Sequence, residues 1–253
     1  MILMRSPLAL AGLIFASIPV AASAGDSVCW IENGVLLVPA VAAGIDGVFI
    51  LDTGAAQSQL DATQASEVGI TDIAATVEVR LAGRAFAGVR MQNLELDART
   101  RAFPTPISGV LGSDLLAGWL VEVRPDPCRL RLSRPRAARG RGTTLPVELK
   151  GGVPYIRAGV SDGERSQAGA FRIDTGGALA VSLAPGAVRP APGGRLRALA
   201  IAGRLFEDVS AGPVSDPPDG SAGRIGEPIW ARFTMRLDYR ARTLTLSDPR
   251  PTR

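Results

Sequence analysis

Val48-Phe49-Ile50-Leu51-Asp52-Thr53-Gly54-Ala55 and Phe171-Arg172-Ile173-Asp174-Thr175-Gly176-Gly177 carry one message twice: an apolar run that ends in Asp-Thr-Gly. A single acid at a strand end says little, because Asp with Gly two residues on is ordinary turn chemistry. Two matched copies point to an internal duplication, in which the flanking segments should also fall into register. They do. Upstream, Gly34-Val35-Leu36-Leu37-Val38 matches Gly152-Val153-Pro154-Tyr155-Ile156, each an apolar strand-like run after a glycine. Downstream, Leu81-Ala82-Gly83-Arg84-Ala85-Phe86 matches Ile201-Ala202-Gly203-Arg204-Leu205-Phe206, which read as hairpins turning at Gly-Arg. Further on, Gly109-Val110-Leu111-Gly112 matches Gly223-Arg224-Ile225-Gly226, and each half closes on paired strands, 119–123 with 129–133 and 233–237 with 243–247. Corresponding segments lie 114 to 122 residues apart, so order and length are both preserved.

Strands and turns outnumber helical stretches. The expected fold is all-β, mainly β with short helices, built as two duplicated lobes about a pseudo-twofold axis with a cleft between them. One helix is predicted within 61–69, where Asp61 caps the first turn, Gln64 reaches back to the cap and Gly69 suits the end. A second short helix begins at Ser113 or Asp114, and Pro228 stands near the first turn of its counterpart. Pro185, Pro190 and Pro192 interrupt the stretch in which the second half would repeat the first helix. The expected organisation is an N-terminal lobe over 25–133, a solvated Arg/Gly/Pro-rich linker over 134–146 and a C-terminal lobe over 147–253.

Residues 1–24 combine Arg5, an apolar stretch over 8–20 and the small residues Ala22-Ser23-Ala24. This is the charge, apolar core and cleavage site of a secretory signal, and the stretch is short for a bilayer span. A periplasmic or secreted product is expected, without stable membrane insertion after cleavage. In such a compartment the two cysteines, Cys29 and Cys128, are expected to form a disulfide. The net charge of +4 is spread along the chain, with no basic cluster interleaved with aromatics, so no nucleic-acid partner is expected. There is no histidine. Ser-His and Cys-His catalysis and histidine-based metal sites are excluded, two cysteines cannot build a thiolate zinc cage, and no acid cluster has calcium-loop spacing. Chemistry must rest on carboxylates, hydroxyls, arginine or backbone, with no metal and no cofactor.

Ile50-Leu51-Asp52-Thr53-Gly54-Ala55, Arg172-Ile173-Asp174-Thr175-Gly176-Gly177 and the apolar segments ending at Gly112 and Gly226 together resemble the pepsin-like and retropepsin-like aspartic proteases. The resemblance is closest to bacterial single-chain members with retroviral-sized lobes, and it covers nearly all of the chain after the signal. It implies an endopeptidase acting on a peptide or protein substrate, with Asp52 and Asp174 as its catalytic pair. Two carboxylates about 3 Å apart cannot both ionise easily, so they share a proton, one acting as base toward water and the other as acid toward the scissile carbonyl. The resemblance further implies that Thr53 and Thr175 brace the two loops reciprocally, while Gly54 and Gly176 allow a tight turn and close backbone approach. It makes Gly83-Arg84 a candidate flap, with Phe86 either facing substrate or packed in the core. Both half-sites lie in one chain, so a monomer is expected. Arg172 and Arg224 depart from the pattern: a buried arginine beside the pair would favour carboxylate charge and oppose proton sharing. The alternative is therefore an inactive, exported peptide-binding protein that uses the same cleft.

Overall fold

The computed structural model describes residues 25–135, 141–186, 188–214 and 220–249. The expected signal, 1–24, and the middle of the expected linker, 136–140, lie outside the described residues. The chain starts with β1 (Asp26–Val28), β2 (Trp30–Glu32), β3 (Val35–Ala42), β4 (Ile45–Leu51) and β5 (Gln59–Asp61). It continues through α1 (Ala62–Glu67), β6 (Ala74–Leu81), β7 (Arg84–Leu94), α2 (Asp97–Thr100), β8 (Ile107–Leu111) and α3 (Ser113–Leu116). The first half ends on β9 (Leu120–Pro125) and β10 (Cys128–Ser133).

The second half repeats this order. It contains β11 (Thr143–Pro146), β12 (Glu148–Lys150), β13 (Val153–Ser161), β14 (Ser166–Asp174), β15 (Val181–Leu183), β16 (Arg195–Ile201) and β17 (Arg204–Pro213). Then come β18 (Gly223–Gly226), α4 (Glu227–Trp230), β19 (Thr234–Asp238) and β20 (Thr243–Ser247). Among the described residues only α1 and α2 lack a counterpart.

Each half closes a barrel. In the first, β3, β4, β8, β5, β7 and β6 pair in that order, β6 returns to β3, and β2 hangs on the outer edge of β3. In the second, β13, β14, β18, β15, β17 and β16 do the same, with β12 outside. Closure leaves few unpaired edges to template association. The barrels fill with matching side chains: Phe49 and Phe171 stand at corresponding places and are wholly buried, each worth about 1.5–3 kcal/mol by the area it removes from water.

A third sheet joins the lobes, in the order β1-β10-β9-β19-β20-β11, with the β9–β19 junction running from Met235 opposite Val123 to Asp238 opposite Leu120. The closing strands of both halves thus form one six-stranded floor. Part of the expected linker belongs to it, because Thr143–Pro146 pairs with Thr243–Leu246 as the edge strand β11. The Cys29–Cys128 disulfide is present, with Cα atoms 5.0 Å apart, and ties the start of the first barrel to the floor. A loop of this size contributes about 4–5 kcal/mol by restricting the unfolded chain. Among the described residues no helix is long and apolar enough to cross a membrane.

Helix α1 starts as its sequence implies: Asp61 accepts the Gln64 N–H at 3.1 Å, and Gly69, at φ +80°, takes the left-handed turn beyond its end. The Gln64 side chain differs from expectation, since its amide donates to the Ile107 carbonyl at 3.2 Å instead of reaching back to the cap.

Candidate active site

Both Asp-Thr-Gly turns emerge at the ends of barrel strands, β4 and β14, each beside a parallel strand, β8 followed directly by Gly112 and β18 ending in Gly226. The turns meet at the pseudo-twofold axis. Thr53 N–H donates to Thr175 Oγ1 at 3.0 Å, and Thr175 N–H donates to Thr53 Oγ1 at 3.3 Å. Each hydroxyl then donates onward across the axis, Thr53 to the Ile173 carbonyl at 2.7 Å and Thr175 to the Leu51 carbonyl at 2.5 Å. All four groups are buried, so the lock stakes backbone and hydroxyl desolvation on one mutual arrangement of the lobes.

The lock brings two buried carboxyls together. A Cβ on Gly54 would sit 2.9 Å from Asp174 Cγ, and one on Gly176 would run into the Asp52 carboxylate. Glycine is required at both places by close approach, whatever the turn demands. Asp52 Oδ1 accepts the N–H groups of Gly54 at 2.8 Å and Ala55 at 3.0 Å. Burial first, then the charge of Asp52 and a hydrogen bond with it, push the Asp174 carboxyl up to about 7, against opposing pulls from Arg224 and Arg99. The desolvation and the neighbouring negative charge both favour the protonated form of Asp174.

Three features near the pair were not foreseen. Arg99, on α2, donates from Nη2 to Asp52 Oδ2 at 2.6 Å and to the Gly176 carbonyl at 3.4 Å. Nothing local in Asp97-Ala98-Arg99-Thr100 signals this; it depends on the 95–106 segment folding back so that Leu96 and Phe103 cover Ile50 and Val110. Glu227, the first residue of α4, is a third buried carboxyl, raised well above the usual carboxylate range by burial and secondarily by the charge of Asp174. Ser113, its counterpart on α3, donates to the Thr53 carbonyl at 2.7 Å and contacts the Tyr239 hydroxyl at 3.0 Å, bracing the first turn from below.

The arginines expected to matter do lie here, with different roles. Arg224 Nη1 is 3.8 Å from Asp174 Oδ2. Arg172 forms no ion pair with either acid: its Nε donates to the Tyr155 hydroxyl at 3.2 Å and its Nη1 to the Gly54 carbonyl at 3.1 Å.

The Gly83-Arg84 turn is a hairpin, β6 to β7, but it is not brought to the acids. Arg84 donates to the Leu132 carbonyl at 3.0 Å and stacks on Trp119, while Phe86 packs edge-on against Trp119 at 5.5 Å. The turn is seated against the floor sheet, and Phe86 takes the packed role. Helix α2, not this hairpin, supplies the side chain that lies on Asp52. Among the described residues no group of three or more acid or cysteine side chains is placed to hold a metal ion.

No protein-family model and no curated protein matches the chain. Among solved structures it is similar to the aspartic proteinase from Irpex lacteus, at 14% identity and a TM-score of 0.55, over 89% of this chain and 97% of that one. With the two closed barrels, this likeness shows the bilobal acid-protease-like fold.

Proposed function

We propose that the chain is an exported aspartic endopeptidase whose Asp52–Asp174 pair activates water for peptide-bond hydrolysis. The observation that carries this reading is the reciprocal Thr53–Thr175 lock, which holds the two buried acids in hydrogen-bonding contact. Asp52, whose oxygens accept the Gly54 and Ala55 N–H groups and the Arg99 guanidinium, takes a proton from water as the water oxygen attacks the scissile carbonyl carbon. Asp174 donates its proton to the carbonyl oxygen, giving a neutral tetrahedral diol. The proton on Asp52 then passes to the departing nitrogen, the C–N bond breaks, and Asp174 regains a proton as the diol collapses to the acid. Arg99 must leave Asp52 Oδ2 before water reaches it, and its side chain, 37% exposed, has solvent on one side to move into. A monomer acting on a peptide or protein, without metal or cofactor, completes the reading. The disulfide is compatible with an oxidising compartment.

The Arg99–Asp52 ion pair favours a second reading, an inactive peptide-binding protein, because a permanent guanidinium there would occupy the water's place. Cleavage of a peptide library between acid and neutral pH, with Asp52→Asn and Asp174→Asn as controls, separates the two. Cleavage lost in both variants supports the protease; equal rates in all three proteins reject it.

A further inference from the structure

The two lobes present the same row of the sheet to the acids with opposite chemistry. In the first lobe the row across β3, β4, β8 and β5 is Leu37, Ile50, Val110, Gln59. In the second, across β13, β14, β18 and β15, it is Tyr155, Arg172, Arg224, Ser182. Residues directly opposite across strands share a face, and residues two apart along a strand do too, so each row flanks the acid two residues beyond it. Ile50 and Val110 are wholly buried under Leu96 and Phe103. Arg172 and Arg224 instead stay partly open, Arg224 at 27% exposure.

Two guanidinium groups on neighbouring strands repel each other and lose hydration, costs that Ile50 and Val110 show the fold does not need to bear. Arg224 has Asp174 as a counter-charge. Arg172 makes no ion pair among the described residues; its hydrogen-bond partners are the neutral Tyr155 hydroxyl and Gly54 carbonyl, which hold it across the interlobe boundary beside the pair. A planar, positioned fork that is not engaged in an ion pair matches a carboxylate.

We propose that Arg172, with Arg224 beside it, forms a subsite for a substrate carboxylate on the second-lobe side of the scissile bond, so that the preferred substrate is an acidic peptide. The source is an acidic side chain adjoining the cut or a chain-terminal carboxylate. This rests on the protease reading for the word substrate, but carboxylate binding can be measured without cleavage.

The experiment uses the full chain after signal removal and matched peptides carrying Glu, Gln, Leu or Lys beside the cut, each with a free or an amidated C-terminus. Cleavage is followed on the wild type and binding on Asp52→Asn. Charge-assisted contacts of this kind predict that Glu exceeds Gln by about tenfold or more in kcat/KM or in affinity. If Glu equals Gln while free termini exceed amides by the same factor, the subsite stands with the chain end as its source. Arg172→Glu should turn the preference toward Lys, a gain that misfolding cannot imitate; should it fail to fold, Arg172→Met should bring Glu and Gln level. Carboxylate-selective binding with no cleavage of any peptide sinks the protease and leaves the subsite. Cleavage or binding indifferent to carboxylates, an unmoved preference in Arg172→Glu or Arg172→Met, or no binding and no cleavage by folded protein, overturns the subsite.

Discussion

The first lobe armours its flank of the acid pair, and the second leaves its own flank charged. Over Asp52 lie α2, Leu96, Phe103 and the apolar patch beneath them, and the turn after Asp52 is pinned by Ser58, whose Oγ donates to Asp114 Oδ1 at 2.7 Å and accepts the Gly112 N–H at 2.9 Å. Beside Asp174 stand Arg172, Arg224 and the buried Glu227, and Pro228 occupies the place of Asp114. Yet the strand order and the threonine lock are the same on both sides. Duplication has kept the backbone and the lock, which both acids need equally, and released the side chains around them.

The largest effect tests the sameness. Asp52→Asn and Asp174→Asn should each lower peptide cleavage by about a thousandfold or more, since either change removes the shared-proton pair. A variant that keeps a tenth of the rate by initial-velocity assay would break the symmetry of the two acids. Next comes the difference between the flanks. Ile50→Arg, which copies the second lobe into the first, should cost about 3–5 kcal/mol in urea unfolding, because the charge would be buried without a partner. Arg172→Ile, the reverse copy, should cost under about 1 kcal/mol or stabilise, since it removes charge repulsion in a partly open place. Equal costs would mean that the two rows serve the fold alike.

Smaller again is the lock. Thr53→Val and Thr175→Val should each cost about 1–3 kcal/mol by leaving a buried carbonyl and a partner N–H unsatisfied. The double variant should cost less than the sum, as the two hydroxyls belong to one network; strict additivity would refute the reciprocal arrangement. The pH dependence follows from the raised Asp174 carboxyl. Between the ordinary Asp value, about 3.9, and about 7 the folded chain holds a proton that the unfolded chain has released, so this group's stabilisation falls as pH rises through that window. Cleavage should fall over the upper end of the same window, and Asp174→Asn should lack this part of the stability slope when melts are compared at pH 4 and pH 8. The smallest effect is at the lid. Arg99→Ala should raise kcat/KM about two- to fivefold, the worth of a partly exposed ion pair; a loss of rate would make Arg99 part of the machinery instead of a cover.

Much of this was legible because the duplication repeats local signals. Asp-Thr-Gly at a strand end, Gly-Arg at a hairpin and apolar-Gly before a short helix are written into a few adjacent residues, and the fold uses them where they stand. What was not legible depends on partners far along the chain. Leu81 to Phe86 reads as a hairpin and is one, but its docking on Trp119 and Leu132 is a tertiary fact, so its role as a flap could not follow from its shape. Thr143–Pro146 looks like linker because four residues with a proline carry little strand signal, and only β20 makes a strand of them. Arg99 is one loop arginine among many until Leu96 and Phe103 fold its segment over the patch.

The floor sheet has its own consequence. Its order is a palindrome, β1-β10-β9 meeting β19-β20-β11, so each half brings three strands and one bare seam. Parted from its mate, either half would offer β9 or β19 as an open rail of backbone donors and acceptors, ready to zip to any chain that ran antiparallel to it, another copy of itself included. Carrying both halves on one polypeptide supplies the correct mate at high effective concentration before a stranger arrives. The tether is a chaperone of assembly, and it lets the two flanks of the cleft diverge without the halves losing each other.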